Sequence, residues 1–475
     1  HKIKNIPRGD WKGVLRELEN AERDASAARP MSGGGGGALD DPDVGADVAS
    51  YNAAITACAR CRDWKQAVAL LREMSASGVD LGVITLGACL QACASCEQWR
   101  PALELLEEAP ALGITPDSMC YNAAITACGR AGKWKEGVAL FREISVSKVG
   151  FRPEPANFSA AMMACGYGGQ WEMAVALLRE MWETGVEPDV ACYNSAIAAC
   201  AKSGQGDQAV ALLRQMRTAE GGDLMPNVLT YNSAIKACAG AGQWERALAL
   251  LKKMLSEKIK PNAVTFTAAI TACGSAGEWQ SALGLLTAMR KIEGVPLSVG
   301  CYNAAIKACG AGGQWEKAVA LLESMSAHGV DADETSFTAC IAACGACGEG
   351  DRAVALLREM GTKGLEPNRI SYNAAINARA SSKQWEQAVA LLREMKKAGT
   401  EPDATSYNAA LKACAGAGQW ERALDLLAEM ETVEIEPDDF SYAAATKACE
   451  NAGRFAEAAA LVESRLPRAP VAEDV

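Results

Sequence analysis

From residue 48 onward the chain writes one pattern of apolar and polar positions over and over. In the stretch Val228 to Asn262, YNSAIKACAGA carries apolar or small residues at the spacing of one helix face, Gly242 interrupts it, and WERALALLKKM resumes the same period. The Lys-Pro-Asn that closes the stretch, like Glu-Pro-Asp in other copies, cannot extend a helix, because proline lacks the amide donor and restricts the residue before it. The pattern predicts helix, glycine turn, helix, proline turn. A lone hairpin of this kind cannot bury its apolar face, so consecutive hairpins must stack on a continuous core.

The copies stay in register along the chain. Repeat starts fall at Val48, Val83, Ser118, Pro155, Val190, Val228, Ala263, Val299, Glu334, Arg369, Ala404 and Asp439, giving eleven complete units of 35 to 38 residues and a twelfth that ends near Leu466. The extra residues of the third, fifth and seventh units are expected in the loops between hairpins, where they cost little. Before the array, residues 1–31 read as the remnant of a preceding repeat, with Asp10 to Arg23 as its second helix and Trp11 in the column held later by Trp64 or Trp99. Residues 32–47 (SGGGGGALDDPDVGAD) have the composition of a flexible linker; as a phosphate loop they lack the Lys-Ser/Thr and a flanking strand. Residues 467–475 form a short tail.

Composition narrows the chemistry. Only two of 475 residues are histidine, His1 and His328, so a His-based triad, a multi-histidine metal centre or a haem site has almost nothing to be built from. No catalytic residue, cofactor or metal is expected. The 19 cysteines suggest a disulfide framework until their spacing is read: eleven recur in one column, from Cys58 to Cys449, which fits core packing in a reducing compartment. CARC at Cys58 to Cys61 and CASC at Cys93 to Cys96 lie one repeat apart and could approach as four thiolates, but the column already accounts for the first cysteine of each pair. No run of 18 uncharged apolar residues suggests a membrane span. The chain opens on His rather than Met, which predicts that further residues, with any targeting peptide, precede it.

The period, the opening YN, the mid-repeat glycine, the helix ending in LLREM and the Pro-Asp or Pro-Asn close resemble the pentatricopeptide repeat family, specifically its plain P-type arrays, over residues 48 to about 466. In tetratricopeptide repeats the tryptophan lies early in the first helix, whereas here Trp64, Trp99, Trp134 and their counterparts open the second. The resemblance implies an all-α fold, a right-handed superhelical α-solenoid of about twelve 35-residue helix-turn-helix repeats. It further implies single-stranded RNA as the partner in a mitochondrion or plastid, read at about one base per repeat.

On that resemblance two columns carry the reading. The fifth position falls on Asn52, Gly87, Asn122, Ser159, Asn194, Asn232, Thr267, Asn303, Thr338, Asn373, Asn408 and Ala443. The last position falls on Gly82, Asp117, Glu154, Asp189, Asn227, Asn262, Ser298, Asp333, Asn368, Asp403 and Asp438. Amides and hydroxyls both donate and accept while a carboxylate only accepts, so such pairs can discriminate Watson–Crick edges. The family's pairings, carried onto the fourth to eleventh units, give a core 5′-G-Y-Y-R-U-A-U-U; Gly82, Gly87 and Glu154 depart from the pattern in the first three. The second position, which in the family packs between bases, holds Leu229, Val264, Ile370 and Thr405, among smaller residues such as Ala156 and Gly300.

Charge distribution bears on the same question. The net charge is −11, yet positions 4 to 14 of the units carry Arg60, Arg130, Lys202, Lys236, Lys307, Arg379, Lys412 and Lys447 against Glu450 alone, a net of +7. Cations gathered on first helices suit a phosphate backbone, and an acidic outer face also serves solubility. Bland readings stand beside these: Asn, Ser, Thr and Asp at such positions are ordinary caps and turn residues. The alternative function is a structural solenoid that binds proteins within a larger assembly such as an organellar ribosome; a third is metal or redox sensing by the clustered cysteines.

Overall fold

The computed structural model describes residues 42–145, 152–218, 224–292 and 294–465. The expected helix at Asp10 to Arg23 and the 467–475 tail lie outside them. Among the described residues there is no strand, and the chain divides into two compact units, residues 1–241 and 242–475.

Every first helix after the first begins on its expected residue, from Val83–Ser95 and Ser118–Arg130 through Val299–Ala311 to Asp439–Asn451. The second helices begin on the tryptophan column, as in Trp64–Ala76 and Trp385–Lys397, or on Gly206, Gly350 and Phe455 where tryptophan is replaced. The first helix of all is longer than expected. It runs Pro42–Cys61, so the last six residues assigned to the linker are helical. The glycine turn works as the sequence implied: Gly242 sits at φ 70°, a left-handed conformation that glycine adopts without a Cβ penalty.

Within each unit the first helices stack directly on one another. Their contact depends on small residues: a Cβ on Gly310 would lie 2.9 Å from Ala343 Cβ, and one on Gly129 only 2.6 Å from Ala164 Cα. Second helices meet through long side chains instead, as in the ion pairs Arg142–Glu180, Lys396–Glu429 and Arg352–Glu323, the last at 3.1 Å. Backbones thus approach closely between first helices, while long side chains separate second helices. Between the layers sit Tyr302, Ile306, Cys309, Leu322 and Met325, all buried, with buried equivalents in most repeats; the last repeat is looser, its Val462 being exposed.

The cysteine column belongs to this core. Burial pushes the Cys238 thiol up to about 11, and burial, reinforced by Asp63 and Cys61, does the same to Cys58. Among the described residues no three His, Cys, Asp or Glu side chains are grouped to hold a metal ion.

Three outcomes test this packing. Gly310→Ala is expected to destabilise by about 1–3 kcal/mol through overpacking, whereas Lys383→Gly, at a turn residue held at φ 57°, stabilises by about 1 kcal/mol; thermal or urea unfolding reads both. In Ellman titration at pH 8, the partly exposed Cys61, Cys96 and Cys347 react in the folded chain, and the other thiols only after denaturation.

Candidate nucleic-acid interface

The residue at the end of most repeats, Gly82 and Glu154 apart, caps the next first helix with its side chain. Asp117, Asp189, Asn227, Asn262, Ser298, Asp333, Asn368, Asp403 and Asp438 each accept a hydrogen bond from the backbone N–H three residues on. Capping residues are drawn from Asp, Asn, Ser and Thr because a short side chain reaches that N–H. The bland reading of this column is therefore correct, but the cap uses one oxygen of each carboxylate and leaves the second for other partners.

The fifth-position asparagines meet these caps. Asn303 Nδ2 donates to Asp333 Oδ1 at 3.1 Å, Asn373 Nδ2 to Asp403 Oδ1 at 3.2 Å, and Asn408 Nδ2 to both oxygens of Asp438 at 3.1 and 3.0 Å. In these three repeats the two positions expected to act together are hydrogen-bonded neighbours. A third residue, which the sequence reading missed, closes each set: Ser336, Ser406 and Ser441 donate their hydroxyls to the carbonyls of Asn303, Asn373 and Asn408, each at 2.6 Å. The spacing of a capping box, a hydroxyl three residues after the cap, was the available signal. Asp403 differs in one respect, because Arg369 Nε lies 3.3 Å from its outer oxygen.

Other pairs are arranged differently. Thr338 donates its hydroxyl to the Glu334 backbone carbonyl at 2.7 Å, leaving its oxygen as an acceptor, while Asn368 Nδ2 donates to the Glu334 carboxylate at 2.9 Å. Thr267 likewise bonds back to Ala263 O at 2.8 Å, and Ser159 shares a 2.8 Å hydrogen bond with Ser195. Asn122 accepts from Asn157 Nδ2 at 2.8 Å and Asn194 from Thr230 Oγ1 at 2.6 Å. Asn232 and Asn303 are the most enclosed of the set.

Position two is where the fold leaves apolar side chains in water. Leu229 is 64% exposed, Val264 61% and Ile370 67%, and Ile84, Met119 and Phe440 in the same register are exposed too. Thr405 is also exposed. Within residues 242–475, Thr335 and Ile370 face a cavity of about 570 Å³ whose lining includes Thr338, Asn368, Lys307 and Glu334. Second-position and code residues thus share one concavity.

Of the eight first-helix cations, Arg60, Arg130, Lys202, Lys236, Lys307, Lys412 and Lys447 are exposed. Arg379 is not. Its side chain is 8% exposed and pairs with Asp351 at 2.6 Å and with Gln384, so it is a core residue and the first-helix surface charge falls from +7 to +6. Lys202 lies 3.3 Å over the Tyr167 ring, and burial, then the neighbouring Lys236 charge, push its pKa down. An anion there would relieve the repulsion. Lys412 Nζ donates to Asn377 at 2.9 Å.

Family models match along nearly the whole array: the pentacotripeptide-repeat region of PRORP over residues 260–423 and 360–469, the PPR repeat family over 226–275, the pentatricopeptide repeat domain over 69–131 and 176–241, and the PPR repeat over 49–79, 119–149 and 157–186. The chain belongs to the pentatricopeptide repeat family. No curated protein matches it. Among solved structures it is similar to the pentatricopeptide repeat protein PPR10 in complex with an 18-nt psaJ RNA element, at 26% identity over 94% of this chain and 67% of that one, TM-score 0.41. It is also similar to yeast Rmd9p in complex with a 16-nt target RNA, at 10% identity over 96% of both chains, TM-score 0.45.

The caps have a pH signature. Burial alone would raise the carboxyls of Asp333, Asp403 and Asp438, but hydrogen bonds from the serine N–H and hydroxyl and from the asparagine amide outweigh it and hold all three below the ordinary 3.8. A depressed pKa gives stability that is present above the unfolded value and lost as pH falls through the folded one. Asp333→Ala is expected to cost about 1 kcal/mol at pH 7, and urea melts should show that cost shrinking below about pH 4.

Proposed function

We propose that this protein is a P-type array that binds single-stranded RNA along its first-helix face, one base per repeat, in organellar RNA stabilisation, processing or translation, without catalysis of its own. The observation that carries the reading is the exposed apolar residues at position two, such as Ile370 and Phe440, in the same register as polar pairs such as Asn373–Asp403 and Asn408–Asp438 that the fold already orients. Apolar faces that stack on bases next to amides and carboxylates that meet base edges are what single-strand recognition requires. The exposed cations on the same helices suit the phosphates in spite of the net charge of −11.

The hydrogen-bond geometry supports particular bases. Where Asn303 stands with Asp333, the amide keeps one N–H and the carboxylate its outer oxygen, a donor beside an acceptor that fits O4 and N3–H of uracil; at Asp403 and Asp438 the outer oxygen also meets Arg369 or Asn408 and accepts through its remaining lone pair. In the ninth unit Thr338 presents an acceptor and Asn368 one further N–H, which suits N6–H and N1 of adenine. The expected core is 5′-G-Y-Y-R-U-A-U-U, with its 5′ end toward the protein's N-terminal side.

Equilibrium binding of the full chain to labelled 5′-GCCAUAUU, against scrambled and reversed RNAs over a salt series, tests this. The expected preference is at least roughly tenfold, about 1.4 kcal/mol, and is lost in Asn373→Ala and Thr338→Ala. Equal binding that collapses with salt would reduce the site to an electrostatic groove. No binding at low salt would leave a protein-binding scaffold as the better reading.

A further inference from the structure

The third residue of the first helices divides the junctions into two main kinds, with Ser371 after Thr338 a third case whose hydroxyl donates to Asn368 O at 2.8 Å. Where the preceding fifth position is asparagine, the residue is a hydrogen-bond donor to that amide's carbonyl: Thr85 on Asn52 at 2.6 Å, Asn157 on Asn122, Thr230 on Asn194, Ser336 on Asn303, Ser406 on Asn373 and Ser441 on Asn408. Where the residue is cysteine, the fifth position is Gly87, Ser159 or Thr267, and the thiol of Cys120, Cys192 or Cys301 turns to the backbone carbonyl of Val83, Pro155 or Ala263, at 3.8, 3.3 and 3.5 Å. Asparagine is never paired with cysteine at the described junctions within each unit.

A primary amide can rotate by half a turn at little steric cost, which exchanges its donor and acceptor. The hydroxyl removes that freedom. Asp403 N–H donates to Ser406 Oγ at 3.1 Å, which occupies a lone pair and leaves one proton to give. Asp403 Oδ1 already receives the Ser406 N–H and the Asn373 amide, and it lies 3.0 Å from Ser406 Oγ, whereas Asn373 Oδ1 lies at 2.6 Å. The proton therefore goes to Asn373, fixing C=O toward the serine and NH2 toward the aspartate. The flipped amide would set its oxygen against the carboxylate. A thiol, a weak donor, cannot hold this arrangement.

We propose that the third residue of the following first helix is a positioning residue for base readout: a hydroxyl or amide there fixes the polarity of the fifth-position asparagine, so that recognition of a pyrimidine takes three residues from two repeats. The inference rests on base reading by repeats and adds to it a residue that touches no base. It explains why a serine or threonine code position tolerates cysteine, since its hydroxyl finds another partner, Ala263 O for Thr267 and the Ser195 hydroxyl for Ser159.

Ser406→Thr and Ser406→Cys in the full chain test it. Cysteine suits the fold at this position, because Asp189 caps the N–H of Cys192 at 2.8 Å, and thermal melting verifies folding. Binding is measured to four RNAs that differ only at the seventh nucleotide of GCCAUAUU, and the Asn373 side-chain amide is followed by NMR of 15N-asparagine-labelled protein, assigned by its loss in Asn373→Asp. The expectation is that Ser406→Thr keeps the uracil preference, while Ser406→Cys lowers it roughly three- to tenfold at that nucleotide alone and shifts the Asn373 amide pair. A complementary gain is expected at the first nucleotide: Ser159→Asn with Cys192→Ser moves the preference from G to pyrimidine, and Ser159→Asn alone does not. Unchanged preference in Ser406→Cys, or a full switch by Ser159→Asn alone, overturns the inference. Absence of any base preference in the unmodified chain defeats the reading by repeats and this inference with it, a result visible in the wild-type arm and distinct from failure in the variants.

Discussion

A hydrogen bond from a backbone N–H to the side chain three residues before it recurs at almost every junction of this protein, and both the stacking and the site depend on it. It fixes where each first helix starts and thereby which residue stands second and which fifth. It also turns the capping side chain toward the fifth position of the repeat before. The alphabet of good caps, Asp, Asn, Ser and Thr, is the alphabet of side chains that tell base edges apart. A repeat can therefore change its polar pair without changing its fold. Glu154, outside that alphabet, is where the chain compensates, with the Asn157 side chain accepting the Glu154 N–H at 2.7 Å.

The small residues between first helices do the complementary work. Gly129, Gly274, Gly310 and Gly345 each face an alanine of the next first helix too closely to accept a Cβ without a shift, and Gly166 faces Ala199 at 3.0 Å, where the neighbour would have to give. This approach brings successive polar pairs onto one surface, while the outer layer is held apart by long ion-paired chains whose individual contributions are small. One exchange shows how tightly the layers are coupled. The tryptophan expected at residue 350 is glycine, and the cysteine expected at residue 379 is arginine, whose Cδ would lie 3.1 Å from a Cβ at residue 350. Arg379 fills space next to the shortened residue and takes Asp351 as its partner.

Much of this was legible in the sequence because a repeat prints its own register: eleven helix starts and the identity of each column follow from the recurrence of YNAAI and its variants. What sequence could not supply were partners from other elements. Arg379 reads as one more first-helix cation until Asp351, 28 residues away, is placed beside it. Ser336 reads as an ordinary cap partner of Asp333, and its bond to Asn303, 33 residues back, exists only once two repeats are stacked. The early start at Pro42 was hidden by the proline and aspartates of a segment that looks like a linker, although proline suits a first helical turn.

The exposed second-position residues weigh the two broad functions against each other. Burying a leucine or isoleucine is worth about 1.5–3 kcal/mol, so Ile84, Met119, Leu229, Val264, Ile370 and Phe440 each forgo a substantial gain where they stand. A protein-binding solenoid would be expected to gather such residues into a contiguous patch. Here they hold one register position in six of the twelve repeats, spaced by whole repeats, with hydrogen-bonding pairs between them, and exposed Arg130, Lys236 and Lys447 lie on three of the same helices. A ligand complementary to that surface must itself alternate apolar faces with polar edges at a regular interval along a charged thread. Single-stranded nucleic acid has this character, which is the ground for the proposed reading over a protein-binding scaffold.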